Sequence, residues 1–385
     1  CQTELAGNPN APYNVVAIYP NYAMRQALAG LEQMAAAAGE PALEARLAEL
    51  GGGMARAIRE ELTAGKRPTL TPKGCWINGL DDRDGRAYDF SEWDGTAWPV
   101  YHWTRQLPFI LQSDLGGLTL QQDEDRQTNI QSYRYLHKKM AEDRFFRRYG
   151  FVSNTAWTGT GGRHDDTMAG YGQGFMTQAA LILDDVNTYS KLLEGIARLA
   201  YDGSVVEPLA YEMNPWLMHE CFCYENYEEG RDHTFGTWAE GRPGIMDCPG
   251  DEGNLVQQAE ILKAFALVAG VDDSEPGVLT VMPRLPWEWT AVTAEEFPFT
   301  TADGAAGTVS YRLTHDRGSR TCRFVLQSTL PLPRLDVRVG PFPPCLDNLA
   351  GDLRQLYEVE QKENSTWIWL RGLQGARVEQ EICLW

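Results

Sequence analysis

The chain of 385 residues has no run of about eighteen apolar residues, so no membrane-spanning helix is expected. Positive charge is also scarce: 34 basic residues stand against 53 acidic ones, and the formal net charge of −19 opposes binding to nucleic acid or an anionic membrane surface. Regularly spaced cysteines are absent. The eight present, at positions 1, 75, 221, 223, 248, 322, 345 and 383, form no framework of the kind that staples small secreted domains, and reduced thiols are expected. There is neither an initial Met nor a basic-then-apolar leader, which leaves compartment unreadable. Cys1 is read as a truncation point rather than the lipid-bearing first residue of a bacterial lipoprotein.

Aromatic residues are plentiful, with twelve Trp and sixteen Tyr. Such flat, amphipathic rings stack on the apolar faces of pyranoses while their polar edges stay bonded. A neutral carbohydrate therefore suits this acidic chain better than an anion, although any single Trp is more often packing. Two stretches concentrate carboxylates among these rings. Tyr224-Glu225-Asn226-Tyr227-Glu228-Glu229-Gly230 is followed by His233 and Trp238, and Cys75-Trp76-Ile77-Asn78-Gly79-Leu80-Asp81-Asp82-Arg83 lies upstream. Hydrolysis of a glycosidic bond usually takes one protonated carboxyl to protonate the leaving oxygen and one ionised carboxylate to activate water or attack directly. Asp81 and Glu225 are the candidates.

Asp81 has neighbours of both signs: a flanking carboxylate and burial would raise its pKa, and Arg83 would lower it. A solvated Asp-rich turn is an equal alternative. Asp82-Arg83-Asp84-Gly85 lacks the later ligand spacing of a calcium loop. Glu225, between Tyr224 and Tyr227, must stay ionised to act as a base, which hydrogen bonds from tyrosine or backbone donors would favour, and His233 is suited to bonding a sugar hydroxyl or a carboxylate, with a structural histidine an equal alternative. Trp76, Asp82, Arg83, Trp93, Asp94, Trp98, Tyr224, Tyr227, His233 and Trp238 are the expected substrate contacts. His219, Cys221, Cys223, His233 and Cys248 raise the question of zinc, but Cys-X-Cys lacks finger spacing, so structural thiols are preferred and no metal or cofactor is expected.

Residues 21–64 read as a helical hairpin broken at Gly39-Glu40-Pro41. Further helices are expected near 99–114, 121–147, 166–184, 187–202, 208–222 and 252–270, the last with Asp251 as N-cap and a stripe of Leu255, Ala259, Leu262, Ala266 and Ala269. Gly170-Tyr171-Gly172-Gln173-Gly174 does not have the spacing of a dinucleotide site and no strand precedes it, so close packing is the expected reason for its glycines. A turn-rich linker at 271–277 separates this region, 1–272, from short β-like runs in 278–385, among them Thr321–Gln327, Leu335–Val339 and Ser365–Leu370 with Pro/Gly clusters between them, which predict a β-sandwich.

Helical hairpins joined to a small β-domain through Gly277-Val278-Leu279-Thr280-Val281-Met282-Pro283-Arg284-Leu285-Pro286-Trp287-Glu288-Trp289 resemble the six-hairpin glycosidase superfamily. That junction is similar to those of α-L-rhamnosidases and of the maltose and cellobiose phosphorylases. Gly79-Leu80-Asp81-Asp82 resembles the general-acid segment of the processing α-glucosidase and trehalase clan, and Tyr224-Glu225-Asn226-Tyr227 with Gly230 and Trp238 resembles its base segment. The resemblance implies an (α/α)6 toroid, incomplete at its N-terminal side, followed by an antiparallel β-sandwich. It also implies an inverting glycoside hydrolase with Asp81 as acid and Glu225 as base. Departures from the clan are Arg83-Asp84 where it has Ser-Pro, and a short separation of the two candidates. Arg163-His164-Asp165-Asp166-Thr167 resembles the acid segment of the bile-acid β-glucosidases, which makes Asp166 the reserve acid.

The rival functions are a disaccharide phosphorylase, for which Arg163-His164 is a modest anion site, a polysaccharide lyase or epimerase using Tyr or His as base, and a non-catalytic glycan-binding module. Sugar, anomer, linkage and oligomeric state are not encoded in any pattern visible here.

Overall fold

The computed structural model describes residues 15–69, 71–77, 79–81, 85–88, 123–142, 144–151, 168–197, 221–222, 256–316, 318–319, 321–344 and 357–383. The chain divides into two compact units, Cys1–Ala179 with Gly195–Glu260, and Ala180–Glu194 with Ile261–Trp385.

In the first unit, strand β1 (Val15–Ala17) runs directly into helix α1 (Ile18–Ala37), and α2 (Pro41–Glu61) returns alongside it. The break has a clear chemical cause. Gly39 takes φ +72°, and Pro41 opens α2 at a position where its missing N–H costs no bond. The α2 helix buries Leu47, Ala55 and Ile58, while α1 buries Ile18, Tyr22, Ala29 and Ala35. Strands β2 (Gly79–Asp81) and β3 (Ala87–Tyr88) complete a three-stranded antiparallel sheet with β1 in which Val15 faces Asp81. Helices α3 (Asp123–Glu142) and α4 (Arg144–Tyr149) follow. A two-residue ladder joins β4 (Met168–Ala169) to β5 (Cys221–Phe222), and α5 (Gly170–Ile182) starts directly after β4.

The second unit contains α6 (Val186–Ile196) up to Glu194, α7 (Val256–Ala269) from Ile261, and strands β6 (Val271–Asp272), β7 (Leu279–Val281), β8 (Ala291–Thr300), β9 (Ala306–Asp316), β10 (Thr321–Phe342), β11 (Glu358–Gln361) and β12 (Thr366–Cys383). The long β10 organises them. Its first half pairs with β9, its second half with β7, and its other edge with β12 throughout. One continuous seven-stranded sheet results, curled into a nearly closed barrel. Leu313, Phe324, Leu326, Leu335, Val337, Val339 and Ile368 are among the residues of its apolar core.

Two expectations are overturned. The described structure is a mixture of seven helices and a large sheet, not a predominantly helical (α/α)6 toroid. Among the described helices only α1 and α2 pack extensively on one another, whereas a toroid requires such packing around a whole ring. The β-sandwich also fails, because β10 and β12 carry hydrogen bonds across the places where two facing sheets would have separated. Locally, 221–222 is strand and not the end of a helix. The stripe read on α7 is rotated as well. Ile261, Ala264 and Val268 are buried, whereas Leu262 is 67% exposed, since a helix apolar on most sides offers more than one plausible stripe.

The end of α7 illustrates close backbone approach. Gly270 takes φ +62°, and a Cβ there would lie 2.0 Å from the Met282 carbonyl oxygen, whose own N–H donates to the Gly270 carbonyl at 2.8 Å. Gly270→Ala combines left-handed strain with overpacking and should destabilise this unit by roughly 2–4 kcal/mol. Thermal melts should show a fall of about 2–4 °C per kcal/mol for a unit of this size, and an unchanged melt would contradict the contact.

Candidate functional site

Most of the predicted site residues lie outside the described residues: Asp82, Arg83, Trp93, Asp94, Trp98, Asp166, Tyr224, Glu225, Tyr227, His233 and Trp238. What the structure supplies is the framework from which several of them extend, together with Trp76 and the backbone of Asp81.

Trp76 is fully buried. Its backbone N–H donates to Ser132 Oγ at 2.8 Å, its indole Nε1–H donates to Asn129 Oδ1 at 2.6 Å, and its ring meets Tyr22 edge-on with centroids 6.1 Å apart. The ring therefore anchors the approach to β2 against α1 and α3 and does not face solvent. Burial raises the pKa of the neighbouring Cys75 thiol, against a smaller opposing effect of its hydrogen bond with Ser132, so this thiol is a poor nucleophile. No spacing pattern in the sequence flags Asn129 or Ser132, because a polar residue on a helix gives no sign of whether it faces water or a buried indole.

Asp81 closes β2 and stands at one end of the β2–β3 hairpin, opposite Val15 of β1. Across the tip, Gly85 takes φ +70° and a Cβ there would lie 3.4 Å from an Arg67 guanidinium nitrogen. Arg67 also pairs with Glu61.

The β4–β5 ladder is the second framework. Met168 faces Phe222 and Ala169 faces Cys221 in antiparallel register. Asp166 precedes Met168 by two residues and Glu225 follows Phe222 by three. In an antiparallel pair the chain entering one strand and the chain leaving the other share an end, so the polypeptide leading from Asp166 and the polypeptide leading to Glu225 meet the ladder at the same end.

Beyond the ladder, the glycine-spaced segment forms the opening of α5, which buries polar side chains as well as apolar ones. Gln173 donates to the Gly150 carbonyl at 2.9 Å, and Gln178 Nε2 donates to both the carbonyl and Oε2 of Glu260, at 2.9 and 2.7 Å. All of these side chains are buried. These bonds fix α5, and with it the direction in which β4 enters. Among the described residues no group of three or more His, Cys, Asp or Glu side chains stands close enough together to hold a metal ion.

Compared with protein-family models and with curated proteins, the chain matches none.

Proposed function

We propose that this chain is a glycoside hydrolase in which Glu225 acts as the base toward water and an aspartate, Asp81 or Asp166, protonates the leaving oxygen. The proposal rests on the two aromatic, carboxylate-bearing segments and not on a toroid. The single observation that supports it best is the antiparallel pairing of β4 with β5, which begin and end, respectively, two residues after Asp166 and three residues before Glu225 in the sequence. Acid–base cleavage needs two carboxyl groups on segments whose separation is fixed, about 5 Å for retention or roughly 6.5–9.5 Å for inversion. The motif resemblance favours Asp81 as the partner of Glu225 and keeps Asp166 in reserve.

Each residue has a defined task in this reading. The base stays ionised and removes a proton from water as the new bond forms at the anomeric carbon. The acid delivers its proton to the departing glycosidic oxygen, so that a neutral alcohol leaves. Aromatic side chains around the carboxylates supply stacking area for the sugar ring.

A screen of aryl glycosides and disaccharides, each with and without inorganic phosphate, tests the proposal. Hydrolysis independent of phosphate is the expected result. Turnover that requires phosphate would favour the phosphorylase, an ultraviolet-absorbing unsaturated product the lyase, and sugar binding without turnover the glycan-binding module.

A further inference from the structure

The helical segment Ala180–Glu194 and the sheet belong to one unit, and two sets of side-chain bonds are among those that join them. One set is neutral. Tyr189 donates its hydroxyl to the Leu285 carbonyl at 3.1 Å, the Trp287 backbone N–H donates to Ser190 Oγ at 2.9 Å, and its indole N–H donates to Asn187 Oδ1 at 2.7 Å. The other set is ionic and passes through one side chain. Asp184, 5% exposed, accepts from Arg284 Nε at 3.2 Å and from both terminal nitrogens of Arg338 at 2.7 and 2.8 Å, with Lys362 Nζ 3.8 Å away.

The groups around Asp184 come from every element packed there. Arg284 is supplied by the loop after β7, Arg338 by β10, Lys362 by the turn between β11 and β12, and Tyr189 and Asp185 by its own segment. Glu360 of β11 stands behind the cations, 3.4 Å from Arg338 and 2.7 Å from Lys362. With Asp184 ionised, Arg284, Arg338 and Lys362 are paired with the two carboxylates Asp184 and Glu360. Once it is neutral, the two guanidiniums, only 3% and 4% exposed, lose the charge between them. Asp184 also takes φ +54°, a left-handed conformation that an L-residue other than glycine keeps only under constraint.

We propose that Asp184 is an acid-sensitive latch: protonation of this one carboxyl releases the segment Asp184–Glu194 from the sheet while the sheet itself stays folded. The sheet persists because its core is apolar and its ladders need no ionised group. Its own buried carboxylate, Asp336, is bonded to Arg334 and Arg371, which are 48% and 40% exposed and so remain hydrated when it is neutralised. The neighbouring Asp185 bonds Thr188 within the segment, and that contact does not bridge to the sheet.

Hydrogen exchange on the full chain, expressed relative to the intrinsic rate at each pH, tests the latch. Protection at amides 189–194 should fall roughly 100-fold or more as pH drops through the carboxylate range, on the scale of a broken buried ion pair, while protection at 322–326 holds. Asp184→Asn keeps the shape and tolerates the left-handed backbone but carries no charge. At pH 7 it should show the low protection that the wild type shows in acid, with no further step on acidification. Asp185→Asn should retain the acid step. Simultaneous loss of protection in both regions at every pH, or wild-type protection at 189–194 in Asp184→Asn at pH 7, would overturn the proposal. If Asp184→Asn does not fold, the wild-type pH series decides the question alone.

Discussion

Glu225→Gln should lower turnover by about 10²–10⁴-fold on a substrate that the wild type hydrolyses. The substitution preserves the shape of the side chain and removes the charge that takes a proton from the attacking water. Because the water must be activated in the transition state, the loss should fall on kcat and kcat/KM together, with KM little changed. The acid behaves differently. Asp81→Asn and Asp166→Asn each remove a proton donor, but an aryl leaving group of low pKa departs without protonation. The variant that has lost the true acid should therefore be badly impaired on a disaccharide and partly restored on such an aryl glycoside, whereas the other variant should show no dependence on the leaving group. Near-normal turnover of Glu225→Gln on both substrates would move the base elsewhere.

Arg338→Ala should destabilise the second unit by about 3–5 kcal/mol, the usual cost of removing one member of a buried ion pair and leaving its partner uncompensated. Arg338 gives two hydrogen bonds to Asp184 and stacks 4.2 Å from the Trp367 ring centre. Its loss therefore removes charge and packing together. Arg338→Lys keeps the charge but cannot form the paired bonds, and its penalty should be smaller. Burial pushes the Asp184 carboxyl up, but Arg338, Arg284 and Lys362 together outweigh burial and hold it below the usual aspartate range. A carboxyl lowered in the folded state adds stability that is complete above its unfolded pKa and is lost as pH falls through the folded value. The acid-side decline in stability should accordingly be shallower in Arg338→Ala than in the wild type. Denaturant titrations at neutral and acidic pH measure both effects, and a variant as stable as the wild type would contradict the role assigned to this cluster.

The helices expected near 21–64, 121–147, 166–184, 187–202 and 252–270 were legible because periodicity and punctuation are local, while the one expected at 99–114 and residues 208–220 of the one expected at 208–222 lie outside the described residues. The Gly39-Glu40-Pro41 break is visible in the sequence and falls between α1 and α2. The partners of each helix were not legible, since an apolar stripe records that a face is covered and not what covers it. The strands show the same division. Thr321–Gln327 and Leu335–Val339 read as separate runs because Pro331 and Pro333 lie between them, yet β10 is one strand and tolerates both prolines where its pairing shifts register. β12 continues to Cys383, well beyond the apolar run ending at Leu370, because its second half keeps only Val378 and Ile382 buried.

The candidate site was legible as residue types and not as geometry. Trp76 is an aromatic beside a carboxylate-bearing loop, and nothing in that context distinguishes a stacking platform from the interior anchor it forms. The ladder that joins the Asp166 and Glu225 segments is two residues long in each strand, too short to leave any alternation in the sequence. Asp184, Arg284 and Arg338 lie up to 154 residues apart, and no local pattern connects them.

Digestion of a disaccharide substrate in ¹⁸O-labelled water, with mass analysis of the products, tests the central claim most directly. Hydrolysis by a carboxylate pair predicts one labelled oxygen at the anomeric position of the released sugar, with no dependence on phosphate. A sugar phosphate, an unsaturated unlabelled product, or binding without turnover would contradict it.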